Sequence, residues 1–198
     1  AMSTRPEVRF VAIKTIQLFI ASPRFRDSFV PHLNAFLVKY DDPVYIKMEK
    51  LDALVALTGR DTWNLVVGEL AAYATEVHVE FVRKAVRCIG MVAAREKDAA
   101  GLCVEKLVEL LETRIPYIVQ ESAVVVQLVL RQYRDRFDGV ITKLCDALSF
   151  LEDSESKSAV AWVLGEFAPR VANAADVLTL FFEGFLDEPL RVQLTVLT

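Results

Sequence analysis

Two histidines and three cysteines are the residues of this 198-residue chain best suited to nucleophilic, acid–base or metal chemistry. Their spacing argues against all three. His32 lies between Pro31 and Leu33 at the start of a helical pattern, and His78 lies in the turn before Val79. Neither has a Cys, Asp, Glu or second His three or four residues away to complete a ligand set on one helix face. Cys88, Cys103 and Cys145 are odd in number, contain no Cys-x-x-Cys, and each sits inside an apolar helical pattern, so they read as buried free thiols of a reducing compartment. The phosphate-loop, dinucleotide and nucleophile-elbow motifs are absent, and Gly59-Arg60-Asp61 reads as one helix ending and the next beginning. Glu105, Glu109 and Glu112 share a helix face that suits solvent better than paired acid–base work. No catalytic, cofactor-binding or metal-ligating residue is assigned, no cofactor is expected, and the chain is not expected to be an enzyme.

Three basic clusters remain. Lys39, Lys47 and Lys50 surround the Asp41-Asp42 turn, Arg83, Lys84 and Arg87 start a helix, and Arg131, Arg134 and Arg136 crowd a loop with Tyr133 and Phe137. Such clusters suit an acidic partner or anionic lipid head groups. The alternative is ordinary solvated side chains, some of them near helix C-termini where a cation is favoured. Tyr133 and Phe137 fall between helices, where they either staple the two together or face a partner. The candidate partner-binding residues are Arg131, Tyr133, Arg134 and Phe137. With 23 basic against 27 acidic residues the formal charge is −4, so there is no broad footprint for nucleic acid.

The elements that must carry these residues are helical. Apolar residues make up 54% of the chain, which excludes disorder, and seven Gly with seven Pro are too few for the frequent turns of a sandwich or barrel. Leu102, Cys103, Leu107, Leu110 and Leu111 recur at helical spacing opposite the three glutamates, and Val140, Ile141, Leu144, Cys145, Leu148 and Leu151 do the same over 136–151. Asp41-Asp42-Pro43, Asp61 and Ser154 are candidate caps, Asn173 to Asp176 resembles a capping box, and Pro116 and Pro189 suit first-turn positions. About eleven helices follow. No run of apolar residues is long enough to cross a bilayer. The first residues lack a signal-peptide plan, Ala1 before Met2 reads as a tag remnant, and residues 1–4 are expected to lie outside the folded segment, 5–198.

Helix starts reveal a repeat. An aromatic followed by a β-branched residue stands at Phe10-Val11, Tyr45-Ile46, Phe81-Val82 and Tyr117-Ile118, at intervals of 35, 36 and 36 residues. Projection places further starts near Ser154 and Leu190. A period of about 36 residues holds two helices and two turns, and such a pair buries its apolar faces only by stacking on its neighbours. The chain is therefore all-α, an α-solenoid of HEAT- or armadillo-like antiparallel helix pairs, without the ankyrin or tetratricopeptide consensus strings. Phe10, Tyr45, Phe81, Tyr117 and Trp162 are assigned to core packing. Neither end carries a polar cap, so a piece of a longer solenoid is expected, with apolar edges over 6–20 and 189–198 that favour self-association.

The second repeat carries a family resemblance. Lys39-Tyr40-Asp41-Asp42-Pro43-Val44-Tyr45-Ile46-Lys47-Met48-Glu49-Lys50-Leu51-Asp52 resembles a stretch shared by beta-adaptins, the large beta chains of clathrin adaptor complexes. Tyr73-Ala74-Thr75-Glu76-Val77, Phe81-Val82-Arg83-Lys84-Ala85-Val86-Arg87, Tyr117-Ile118-Val119-Gln120-Glu121, Trp162-Val163-Leu164-Gly165-Glu166-Phe167 and Val192-Gln193-Leu194-Thr195 continue the likeness in order. It covers nearly the whole chain and is strongest to the beta chains of the first and second adaptor complexes. Departures concentrate at 58–72, 91–101 and 131–140.

The resemblance implies part of the trunk of an adaptor subunit, a non-catalytic scaffold acting in cargo selection and coated-vesicle formation. The implied partners are the second large chain, the medium chain and the small chain. Clathrin would be reached through regions outside this sequence. The assembled complex would associate peripherally with the cytosolic face of trans-Golgi, endosomal or plasma membranes. By family, the beta trunk cradles the medium chain and covers its tyrosine-signal pocket. The alternative is a HEAT-type transport receptor or regulatory scaffold binding an extended peptide.

Overall fold

The structure, a computed structural model, describes residues 5–134, 136–171 and 174–198. Among these, eleven α-helices are found: α1 (Pro6–Ile20), α2 (Pro23–Phe29), α3 (Val44–Leu57), α4 (Trp63–Tyr73), α5 (Val79–Arg95), α6 (Ala100–Leu111), α7 (Pro116–Gln132), α8 (Asp138–Asp146), α9 (Ser154–Phe167), α10 (Ala174–Glu183) and α11 (Leu190–Leu197). The odd-numbered helices start at 38-, 35-, 37-, 38- and 36-residue intervals. Both projected starts are met, by α9 and α11, although neither begins with an aromatic.

The chain divides into two compact units, Ala1–Leu102 and Cys103–Thr198. Within the first, α3 packs against α1 on one flank and α5 on the other, while α2 lies on α1 and α4 on α5. A helix flanked on both sides needs apolar residues over most of its circumference. Accordingly α3 buries Ile46, Leu51, Ala53, Leu54, Val55 and Leu57, and α5 buries Phe81, Val82, Ala85, Val86, Cys88, Ile89, Val92 and Ala93. Each large aliphatic side chain so buried contributes about 1.5–3 kcal/mol. Within the second unit, α9 holds the same position between α7 and α11, with α8 and α10 packed on it. The helical stripes expected from the sequence are present: Cys103, Leu107, Leu110, Leu111, Val140, Ile141 and Leu144 are buried, and Glu105, Glu109 and Glu112 are exposed.

Polar bonds repeat with the helices. In the first unit Arg9 pairs with Asp42 at 2.7 Å, Lys14 with Glu49 at 2.6 Å, Lys47 with Glu76 at 2.8 Å and Lys84 with Asp52 at 2.7 Å. Arg26 donates to the Ala56 and Thr58 carbonyls, and the Val38 amide donates to the Tyr73 hydroxyl at 3.0 Å. In the second unit Lys143 pairs with Glu112 at 2.7 Å, Arg134 with Glu166 at 2.6 Å, and Lys157 with Glu188. Each of these links residues roughly 30–35 positions apart, one repeat, so each acts as a nearest-neighbour term in a quasi-one-dimensional stack.

Several local expectations need correction. Asp42 does not cap α3, whose N-cap is Pro43; its carboxylate turns inward, to Lys50 and Arg9. Asp61 does not cap α4, where Thr62 holds that position and its hydroxyl accepts the Gly59 amide at 2.9 Å. Asp153 rather than Ser154 caps α9, accepting from the Glu155 and Ser156 amides at 2.9 Å, because a carboxylate one residue earlier reaches both orphan donors. Pro116 opens α7 as expected, whereas Pro189 is the N-cap of α11. The capping box expected from Asn173 to Asp176 rests on Asn173, outside the described residues, as are residues 1–4 and Asp135. Of the five aromatics assigned to the core, Phe81 alone is fully buried, and Tyr45 is 46% exposed. Phe10 and Tyr45 meet edge to face at 5.7 Å, tying α1 to α3 at the rim of the stack instead of filling its centre. Cys145 is half-buried, unlike Cys88 and Cys103.

Candidate functional site

The four candidate partner residues lie at the end of α7 and the turn into α8. Tyr133 is the C-cap of α7, 9% exposed, and Phe137 is the N-cap of α8, half-buried. Their rings meet edge to face at 6.2 Å, so the pair does staple the two helices. Arg136 lies over both, 5.9 Å from the Tyr133 ring centre and 5.6 Å from that of Phe137. Arg134, exposed, reaches Glu166 on α9, and Arg170 donates to the Arg134 carbonyl at 3.1 Å. Arg131 turns the other way and places its guanidinium carbon over the Trp162 ring, 4.6 Å from the ring centre. The structure thus brings Tyr133, Arg134 and Phe137 together in one turn and sets Arg131 apart on the flank of α9.

Sequence reasoning missed Arg170, Glu166 and Trp162 as members of this cluster. The period could have found all three: Trp162 is 31 residues after Arg131, and Glu166 and Arg170 are 32 and 36 after Arg134, each close to one repeat. Chemically the turn offers the cationic edges of Arg134 and Arg136 over an aromatic pair that is largely covered, Tyr133 being buried and Phe137 half-buried. That combination suits carboxylate or aromatic groups of another protein.

In the other basic clusters Lys47, Lys50 and Lys84 are held by internal partners, whereas Lys39 and Arg87 are exposed. Lys50 and Lys47 are buried at 2% and 8% exposure, contrary to both readings of the Lys39 cluster as a displayed or solvated patch. Lys50 donates to Asp42 at 2.5 Å and to the Leu37 carbonyl at 2.8 Å; Lys47 pairs with Glu76 and lies 5.3 Å over the Phe81 ring. The Lys39 backbone amide closes the shell around Asp42 at 2.9 Å. Burial by itself would push the Asp42 carboxyl up, but the bonds from Lys50 and the Lys39 amide, with the Lys50 and Arg9 charges, hold it below the ordinary carboxylate range. Lys84 is held by Asp52.

The residues with reactive potential are quiet. Burial pushes the Cys88 and Cys103 thiols up to about 12, so they stay protonated near neutral pH and are poor nucleophiles. His78 is the N-cap of α5, its Nδ1 accepting the Phe81 amide at 3.4 Å. His32 is exposed. No group of three or more His, Cys, Asp or Glu side chains is placed to hold a metal ion among the described residues, and no described helix is long and apolar enough to cross a membrane.

With this geometry established, comparison with known proteins decides the family. The adaptin N terminal region family matches residues 1–198, the whole chain. The chain belongs to the adaptin N-terminal family. This adaptin chain is 41% identical over 198 residues to the AP-1 complex subunit beta-1 of Mus musculus, covering all of the chain and 21% of that protein. It is 38% identical over the same length to the AP-1 complex subunit beta of Dictyostelium discoideum, again 21% of that protein. To the AP-2 complex subunit beta of Schizosaccharomyces pombe it is 34% identical over 180 residues, 91% of the chain and 26% of the relative. The adaptin chain therefore spans about a fifth to a quarter of the length of these relatives. Its fold matches a chain of a solved assembly described as a homology model of the full-length AP-3 complex in an intermediate open conformation. The TM-score is 0.75 at 19% identity, covering 99% of this chain and 32% of the other. That likeness speaks for the fold alone, the helical solenoid.

Proposed function

We propose that this chain is trunk from the beta subunit of a clathrin-associated adaptor complex. In this reading it is a non-catalytic scaffold in cargo selection and coated-vesicle formation, with residues 5–198 acting as one solenoid segment. The observation that carries the reading is the unbroken likeness to AP-1 complex subunit beta-1 along all 198 residues. It is supported by the stacked helix pairs within each unit, the arrangement of a scaffold solenoid. The partners would be the second large chain, the medium chain and the small chain, with clathrin contacted through parts of the protein outside this sequence. The work would take place at the cytosolic face of trans-Golgi, endosomal or plasma membranes. Tyr133, Arg134 and Phe137 on the α7–α8 turn, and Arg131 apart from them on the flank of α9, are the residues assigned to partner contact.

Affinity purification of the full-length protein from cell extract tests this. Co-recovery of a second large chain, a medium chain and a small chain in equal amounts is the expected result. Recovery of nuclear-transport or phosphatase partners in their place would sink the reading in favour of a HEAT-type receptor. Arg134→Ala with Phe137→Ala is expected to reduce co-recovery of at least one chain while leaving the helical circular dichroism intact.

A further inference from the structure

A groove of about 320 Å³ runs between α7, α9 and α11 in the second unit, on the side of α9 to which Arg131 turns. Leu128, exposed over half its surface, and the half-buried Trp162 supply apolar parts of its wall. Two arginines border it. Arg131 is stacked on Trp162 and has no carboxylate partner among the described residues. Arg191 touches Glu155 only at 3.5 Å, and both of those side chains are mostly exposed. Two cations against one carboxylate leave the groove net positive in a chain whose formal charge is −4.

The stacking matters for recognition. A guanidinium held over an indole ring is attracted through the ring's face, and its N–H donors remain free to match the two oxygens of a carboxylate. Trp162 also fixes a side chain that would otherwise lose rotamer freedom on binding, so the ordering cost is met before the ligand arrives. Leu128 next to this fork offers a place for one bulky apolar side chain.

We propose that the groove binds an extended acidic segment of a partner protein, with carboxylates on Arg131 and Arg191 and an apolar side chain between them on Leu128 and Trp162. The site is separate from the α7–α8 turn and does not depend on the adaptor assignment. Charge complementarity and shape favour this occupant: a recessed groove of mixed lining, with Leu128 and Trp162 beside the two cations, fits a single chain, whereas a bilayer surface calls for cations projecting from an open face.

The test is fluorescence anisotropy with the full-length protein and a fluorescein-labelled peptide, Gly-Glu-Glu-Phe-Glu-Gly. Saturable binding is expected, weakened about tenfold or more by Arg131→Gln and by Arg191→Gln, since each removes a charge-assisted bond. Glu155→Gln, which removes the competing carboxylate, is expected to tighten it. Trp162→Phe, with its fold checked by circular dichroism, should weaken binding less than Arg131→Gln because a π platform remains. Equal binding of a Gly-Lys-Lys-Phe-Lys-Gly peptide, or indifference to both arginine variants, would overturn the proposal. So would the absence of saturation up to about millimolar protein. Two other occupants would show themselves and also overturn it: phosphatidylserine vesicles binding through Arg131 where the peptide does not, or self-association in sedimentation that Arg131→Gln abolishes. Loss of peptide binding with normal recovery of the adaptor chains would leave the function proposed above standing.

Discussion

The Lys39-to-Lys50 cluster and the Arg131-to-Arg136 cluster are equally basic in sequence and meet opposite fates. In the first, Lys50 is 2% exposed and spends its charge on the buried carboxylate of Asp42, with Arg9 approaching from the preceding repeat. In the second, Arg131 lies on an aromatic face and Arg134 holds an exposed ion pair, so both guanidiniums stay within reach of other molecules. What separates them is a carboxylate placed inside the stack. Asp42 sits in the turn before α3 with its carboxylate between Lys50 and Arg9 of α1, and this converts those cations into structural groups. Near Arg131 the residue one repeat on is Trp162, which orders the cation without neutralising it.

That contrast can be broken experimentally. Asp42→Ala leaves Lys50 buried without its counter-ion and is expected to cost about 3–5 kcal/mol in urea unfolding. A loss below about 1 kcal/mol would mean that Lys50 finds water and the two clusters are alike. Acid should act through the same group. Because the folded Asp42 pKa lies below its unfolded value, the stabilisation is complete above about pH 4, the unfolded carboxylate value. It is lost as pH falls through the folded value. Asp42→Asn should flatten this limb of a stability–pH curve, and an unchanged limb would assign acid sensitivity to other carboxylates. Arg131→Ala is expected to cost only about 0.5–1 kcal/mol, the worth of an exposed cation–π contact. Arg134→Ala should cost about 0.2–1 kcal/mol and should cost less in 1 M salt, since its pair with Glu166 is solvent-exposed. A salt-insensitive loss at Arg134 would show the pair to be better shielded than its exposure indicates.

The repeat was legible because it rests on spacing. Helix starts at Ser154 and Leu190 follow from a period set by earlier repeats, even where the aromatic marker is missing, since each pair must have the same height to stack. The fates of individual polar residues were less accessible. Asp42 before Pro43 has the pattern of an N-cap, and only the position of α1, 33 residues earlier in the Arg9 pairing, turns its carboxylate inward. Tyr45 recurs at a core-like position but meets Phe10 at the rim. For the candidate site, the sequence singled out Arg131, Tyr133, Arg134 and Phe137 from their crowding. It could not separate the turn from the flank of α9, because that division depends on which neighbour each arginine meets.

Arg134 with Glu166, Lys143 with Glu112 and Lys84 with Asp52 each join residues 31 or 32 positions apart. This gives the chain a rule for tolerating changes of length. Residues added within a turn lengthen a connection and leave donor and acceptor on their own helices, at a chain-entropy cost that grows slowly with loop length. Residues added within a helix rotate every later side chain on that helix by about 100° each and carry it away from its partner. Duplication of a whole repeat preserves the rotation and the partner types together. Growth or shrinkage by units of about 36 residues is therefore the length change this architecture absorbs most readily.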